Sequence, residues 1–151
     1  MRLKERIQDD MKAALLSGDR FLGETLRGLK AAILNEEVAL NKRDEGLEDS
    51  EIEQIIAKEV KKRNESARLY AENGREESAA DETREAEVLR AYLPTRLTED
   101  ELRAVVNAEI SQLGASEMAD MGRVIGGVKS KVGLTADGAL LAQIVKQALT
   151  K

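Results

Sequence analysis

Apolar residues recur along most of this chain at intervals of three and four, the spacing of one face of an α-helix. Leu3, Ile7, Met11 and Leu15 predict a first helix, and Ser17-Gly18-Asp19 predicts a turn. Leu22, Leu26, Leu29 and Ile33 predict a second helix. The polar stretch Asn41–Asp49, with Gly46 inside it, predicts a loop. Ser50 and Glu53 have the spacing of a capping box. The helix they would open carries Ile52, Ile56, Val60 and Ala67 on one face, and Asn73-Gly74 predicts its stop. Ala79, Ala86, Leu89 and Leu93 predict a fourth.

The pattern is then interrupted. Pro94 is the only proline, and Leu93-Pro94 reads as a helix end. Thr98 and Glu101 form a second capping box, with Leu97 and Leu102 placed as a hydrophobic staple around it. Three shorter apolar stripes follow. The first is Leu102, Val105, Val106, Ile110 and Leu113. The second is Met121, Val124, Ile125, Val128 and Val132. The third is Leu140, Leu141, Ile144, Val145 and Leu149. Strand-like alternation is absent. The expected architecture is therefore all-α: a bundle of about four helices over residues 1–93, then a small three-helix domain over 94–151.

Composition narrows the chemistry. Aromatic residues are only 2% of the chain, so the core must be aliphatic. Histidine and cysteine are both absent. That removes the commonest general base, thiolate and imidazole metal ligands, and every Ser-His or Cys-His nucleophile pair. No catalytic constellation, cofactor or metal site is expected. No apolar run approaches the roughly 20 residues that span a membrane, and Met1–Arg6 lacks the apolar stretch of a signal peptide. The expected location is cytoplasmic. The net charge of −5 lies in residues 1–93, because residues 94–151 hold equal numbers of acidic and basic groups. Such a chain is poorly suited to indiscriminate nucleic-acid binding, though a local patch could hold phosphate.

Candidate positions are few. Lys58, Lys61, Lys62 and Arg68 fall on one side of the third helix and form the best basic stripe, either a solvated face or a phosphate-binding surface. Arg63 falls instead on the apolar side and calls for a half-buried carboxylate partner from another helix, Glu24 or Glu85. Glu82, Glu85 and Glu87 otherwise read as a solvated charge run. The segment Gly122–Ser130 superficially resembles a phosphate loop. However, its lysine does not directly follow the second glycine, and no strand precedes it. Gly122 and Gly126, four apart, are read as allowing close helix packing. Asp120 is read as an N-cap whose glycine-rich helix start exposes N–H groups to an RNA phosphate. Thr135 reads as the N-cap of the last helix, with Asp137 and Gly138 in its first turn.

Four segments together resemble a known family. Leu26–Glu36, Lys61–Ser66 with Tyr70 and Gly74–Glu76, Tyr92–Pro94, and Asp120–Gly126 with Ala136–Gly138 are similar to the GatB/YqeY family. The whole chain resembles its stand-alone YqeY-like members. The C-terminal part resembles the tail domain of the aspartyl/glutamyl-tRNA amidotransferase B subunit. That tail helps hold tRNA, whereas the glutamine-dependent carbon–nitrogen ligase chemistry lies elsewhere in the larger enzyme. The resemblance therefore implies a tRNA-associated accessory module without its own activity, presenting Arg123, Lys129 and Lys131 to the phosphate backbone. The net acidity and many-sided helices support the alternative, a protein-interaction module with no nucleic-acid contact.

Overall fold

The computed structural model describes residues 2–150. Among them are seven α-helices, two short 3-10 turns and no strand. The chain divides into two compact units, Met1–Leu93 and Pro94–Lys151.

The first unit is built from two helical hairpins. Helix α1 (Leu3–Ser17) runs back along α2 (Arg20–Ala39), and α3 (Asp49–Glu72) pairs over most of its length with α4 (Glu76–Arg90). The tight α1–α2 turn needs Gly18 in the left-handed region (φ 83°), and Asp19 caps α2 by accepting from the Leu22 N–H. The core is aliphatic, made by Leu3, Ile7, Leu26, Leu29, Ile33, Ile52, Ile56, Val60, Ala86 and Leu89. Tyr92 joins it, and its hydroxyl donates to Asp10 at 2.5 Å. Burial and this acidic neighbour push the Tyr92 phenol well above its usual range.

Two local expectations are corrected. Leu15 is 39% exposed, and Ala14 takes the buried position instead. Strict four-residue steps drift by about 40° each, so Leu15 has left the Leu3 face by about 120°, whereas Ala14 is about 20° from it. The third helix opens at Asp49 rather than after Ser50, with the Glu51 carboxylate accepting from the Glu48 N–H at 3.2 Å. The earlier start lets Asp49 accept from the Leu3 N–H at 3.0 Å, capping α1 from another helix, and lets Glu51 reach Lys42 at 3.1 Å. The polar loop before it is anchored by Leu47, whose side chain is buried in the core.

The second unit comprises α5 (Glu99–Leu113), α6 (Met121–Val132) and α7 (Gly138–Leu149), with 3-10 turns at Met118–Asp120 and Gly133–Thr135. Thr98 and Glu101 exchange the two bonds of a capping box, at 3.2 and 3.0 Å. Leu102, Val106, Val124, Val128, Leu141, Ile144 and Val145 make the core. The N-cap of α7 is Asp137, which accepts from the Ala139 N–H at 3.0 Å. Thr135 instead turns its hydroxyl back onto the Val132 carbonyl. Gly138 is the first residue of the helix.

Candidate functional site

The second half of α2 carries apolar residues on more than one side, and only part of it faces the core. Ile33 and Glu37 turn inward and are buried. Leu34 and Val38 remain exposed on one side of the helix, and Leu40, at its end, is 48% exposed. On the other side, α2 and α3 border a groove of about 700 Å3. Ala32, Leu40, Ile55 and Ala57 give it apolar walls, and Glu36, Glu51, Glu59, Lys58 and Lys61 supply its charged lining. The charges are not equivalent. Glu51 is held by Lys42 at 3.1 Å and Glu59 by Arg63 at 2.5 Å. Lys58 and Lys61 are exposed, and among the described residues neither has a carboxylate within ion-pair distance. Glu36 likewise has no cation within ion-pair distance among the described residues, so the groove offers an apolar surface bordered by two free cations and one free carboxylate.

The other sequence-selected positions scatter. Lys62 is exposed on α3, and Arg68 is paired with Glu72 at 2.8 Å. Arg63 is half-buried, contacting Glu59 on its own helix and Glu85 on α4 at 3.5 Å. Glu24 pairs on the surface with Arg27 instead. Desolvation, reinforced by the charge of Glu82, raises the Glu85 carboxyl above its usual range despite Arg63. Pro94 lies exposed at the start of the second unit.

On α6 the cations are largely engaged. Asp120 accepts from the Ser116 and Glu117 N–H groups, which hold it below the usual carboxylate range, and it pairs with Arg123 at 3.2 Å. Its side chain caps the turn before α6 rather than α6 itself. Lys131 pairs with Glu109 at 2.5 Å and donates to Gln112 at 2.6 Å. Lys129 is exposed without such a partner. The cations named on this helix thus form no contiguous free patch: one of the three is unengaged.

The close helix approach is at Gly127, not at Gly122 or Gly126. A Cβ on Gly127 would meet the buried Glu109 carboxylate, 2.7 Å from its carbon, whereas both other glycines face open space. Opposite signs follow for neighbouring substitutions. Gly126→Ala should stabilise the protein by about 1 kcal/mol through helix propensity. Gly127→Ala should destabilise it, since the gain is outweighed by displacing a buried charge. Urea denaturation of the two variants checks this; equal shifts would contradict the placement of Glu109.

Two functionally notable features escaped the sequence reading. The buried carboxylates Glu37 and Glu109 each find a lysine distant in sequence, Lys4 at 2.7 Å and Lys131. Glu37 does lie four residues from Ile33, so its burial was legible as a phase, but its partner was not. The groove lies between two helices, α2 and α3, and no single-helix pattern encodes it.

Among the described residues no group of three or more acidic, histidine or cysteine side chains could hold a metal ion, and no helix is long and apolar enough to cross a membrane. The chain is similar to two proteins named altered inheritance of mitochondria protein 41, mitochondrial. It is 32% identical to that of Eremothecium gossypii over 75% of this chain and 62% of the relative, and 28% identical to that of Kluyveromyces lactis over 57% and 45%. The chain thus aligns with less than two thirds of either relative's length. The model of the family described as Yqey-like protein matches residues 4–149, and the chain belongs to that family.

Proposed function

We propose that this protein is a cytoplasmic protein-interaction module that receives an amphipathic helix of acidic character in the α2–α3 groove. The observation that carries the reading is the groove itself: apolar walls with Lys58 and Lys61 unpaired at its border. Apolar anchors of a helix at i, i+3 or i+4, and i+7 suit such a surface. Carboxylates flanking those anchors would complement the two lysines and set orientation. The second reading, a tRNA-associated module related to the amidotransferase tail, is favoured by the exposed row Lys58, Lys61 and Lys62. It is weakened by the engagement of Arg123 and Lys131 with Asp120 and Glu109.

Selection of a displayed library of helical peptides against the purified protein tests the proposal. Enriched peptides should carry that anchor spacing with flanking Asp or Glu. Leu40→Asp should weaken their binding by roughly tenfold or more, and so should the charge reversal Lys58→Glu with Lys61→Glu. Unfractionated tRNA is titrated in parallel at low and physiological salt. No enriched peptide, together with saturable and salt-dependent tRNA binding, would replace this reading with the nucleic-acid one.

A further inference from the structure

The turn between α3 and α4 holds a second cavity, of about 490 Å3, lined by Ser66, Leu69, Tyr70, Asn73 and Arg75. That volume is in the range of small-molecule sites. The Arg75 guanidinium stands over the Tyr70 ring, with Cζ 5.6 Å from its centroid. Among the described residues no carboxylate lies within ion-pair distance of Arg75, although its neighbour Arg68 is held by Glu72. Leu69 is 47% exposed beside this uncommitted cation, so it offers apolar surface at the cavity wall. The Asn73 amide nitrogen donates to the Leu69 carbonyl at 2.8 Å, which leaves its side-chain oxygen free to accept. Lys62 is exposed one turn before Ser66, about 40° from it on α3, so it stands outside the cavity lining, beyond its Ser66 end.

A guanidinium stacked on one ring presents its other face to a second planar group, and arginine is weakly hydrated enough to do so favourably. A ligand that satisfies the whole cavity needs a flat ring for Arg75 and Leu69. It also needs hydrogen-bonding atoms for Asn73 and Ser66, and an anion for Lys62 and Arg75. We propose that this cavity binds a nucleoside monophosphate. The base lies on the Arg75–Tyr70 stack with its edge covered by Leu69. The Asn73 side-chain oxygen and the Ser66 hydroxyl meet base or ribose polar atoms, and the phosphate lies toward Lys62. Binding is non-covalent, and it does not rest on the groove, which uses other residues.

Isothermal titration calorimetry of the intact protein with AMP, adenosine and inorganic phosphate, each separately, tests the site. AMP should bind once per chain, and each fragment should bind at least about tenfold more weakly. Arg75→Ala should weaken AMP by roughly tenfold or more, and Arg75→Lys, which keeps charge but loses the planar stack, by an intermediate factor. Leu69→Ala should weaken AMP and leave phosphate unaffected. Thermal melts should show all three variants folded like the wild type, because these side chains lie at the surface. No saturable AMP binding, unchanged AMP affinity in Arg75→Ala, or phosphate binding as tightly as AMP would each overturn the proposal.

Discussion

Lys131→Met should lower the stability of the second unit by about 2–3 kcal/mol. Removing one partner of a fully buried ion pair costs about 3–5 kcal/mol, and the lower figure allows for a lysine that is itself part-exposed. The asymmetry of the pair sets the effect: the side chain of Glu109 is 5% exposed and that of Lys131 is 47% exposed. Loss of the lysine strands a carboxylate between α5 and α6, against Gly127. Adding Glu109→Leu should recover most of the loss, to within about 1 kcal/mol of wild type, because an apolar group of similar size needs no partner there. Amide hydrogen exchange across α5, α6 and α7 reads the change in the unit concerned. A single variant within about 0.5 kcal/mol of wild type would mean that water, not Lys131, satisfies Glu109. The result also bears on RNA binding: alanine at Lys131 would loosen the unit as well as remove a charge. The cleaner charge probes are therefore Lys129 and Lys146, both exposed and free of such pairs.

Arg63→Ala should cost about 2–3 kcal/mol at neutral pH, for a related reason. It leaves Glu59 and Glu85, both half-buried, facing each other across the α3–α4 interface without a cation. Here the loss should depend on pH. The Glu85 carboxyl already ionises above its usual value near 4.5, so the fold disfavours its charged form. The stability contribution of such a group is complete below the unfolded-state value and is lost as pH rises through the higher folded-state value. Without Arg63 the folded-state value moves higher still. The deficit of the variant should therefore be smallest near pH 4.5 and grow toward pH 7. Urea denaturation at both pH values measures it. A deficit independent of pH would assign the effect to lost packing of the arginine stem rather than to the pair.

The helical class, most of both cores and the capping box at Thr98 were legible in the amino-acid pattern. These are local or periodic properties: an apolar stripe fixes which face of a helix is buried, and a cap is settled within four residues. The same pattern placed Arg63 on an apolar face and gave Glu85 as one of two candidate partners, since a charge at such a phase demands compensation. The choice between Glu85 and Glu24 came from the folded structure, because it depends on which helix lies opposite. That structure alone paired Lys131 with Glu109 and Lys4 with Glu37, contacts between residues far apart in sequence. It moved the close approach from Gly126 to Gly127, since that contact follows from where α5 crosses α6 rather than from glycine spacing. It opened the two cavities as well. A cavity is the space that converging elements fail to fill, and its walls come from packing angles that no one helix carries in its own sequence.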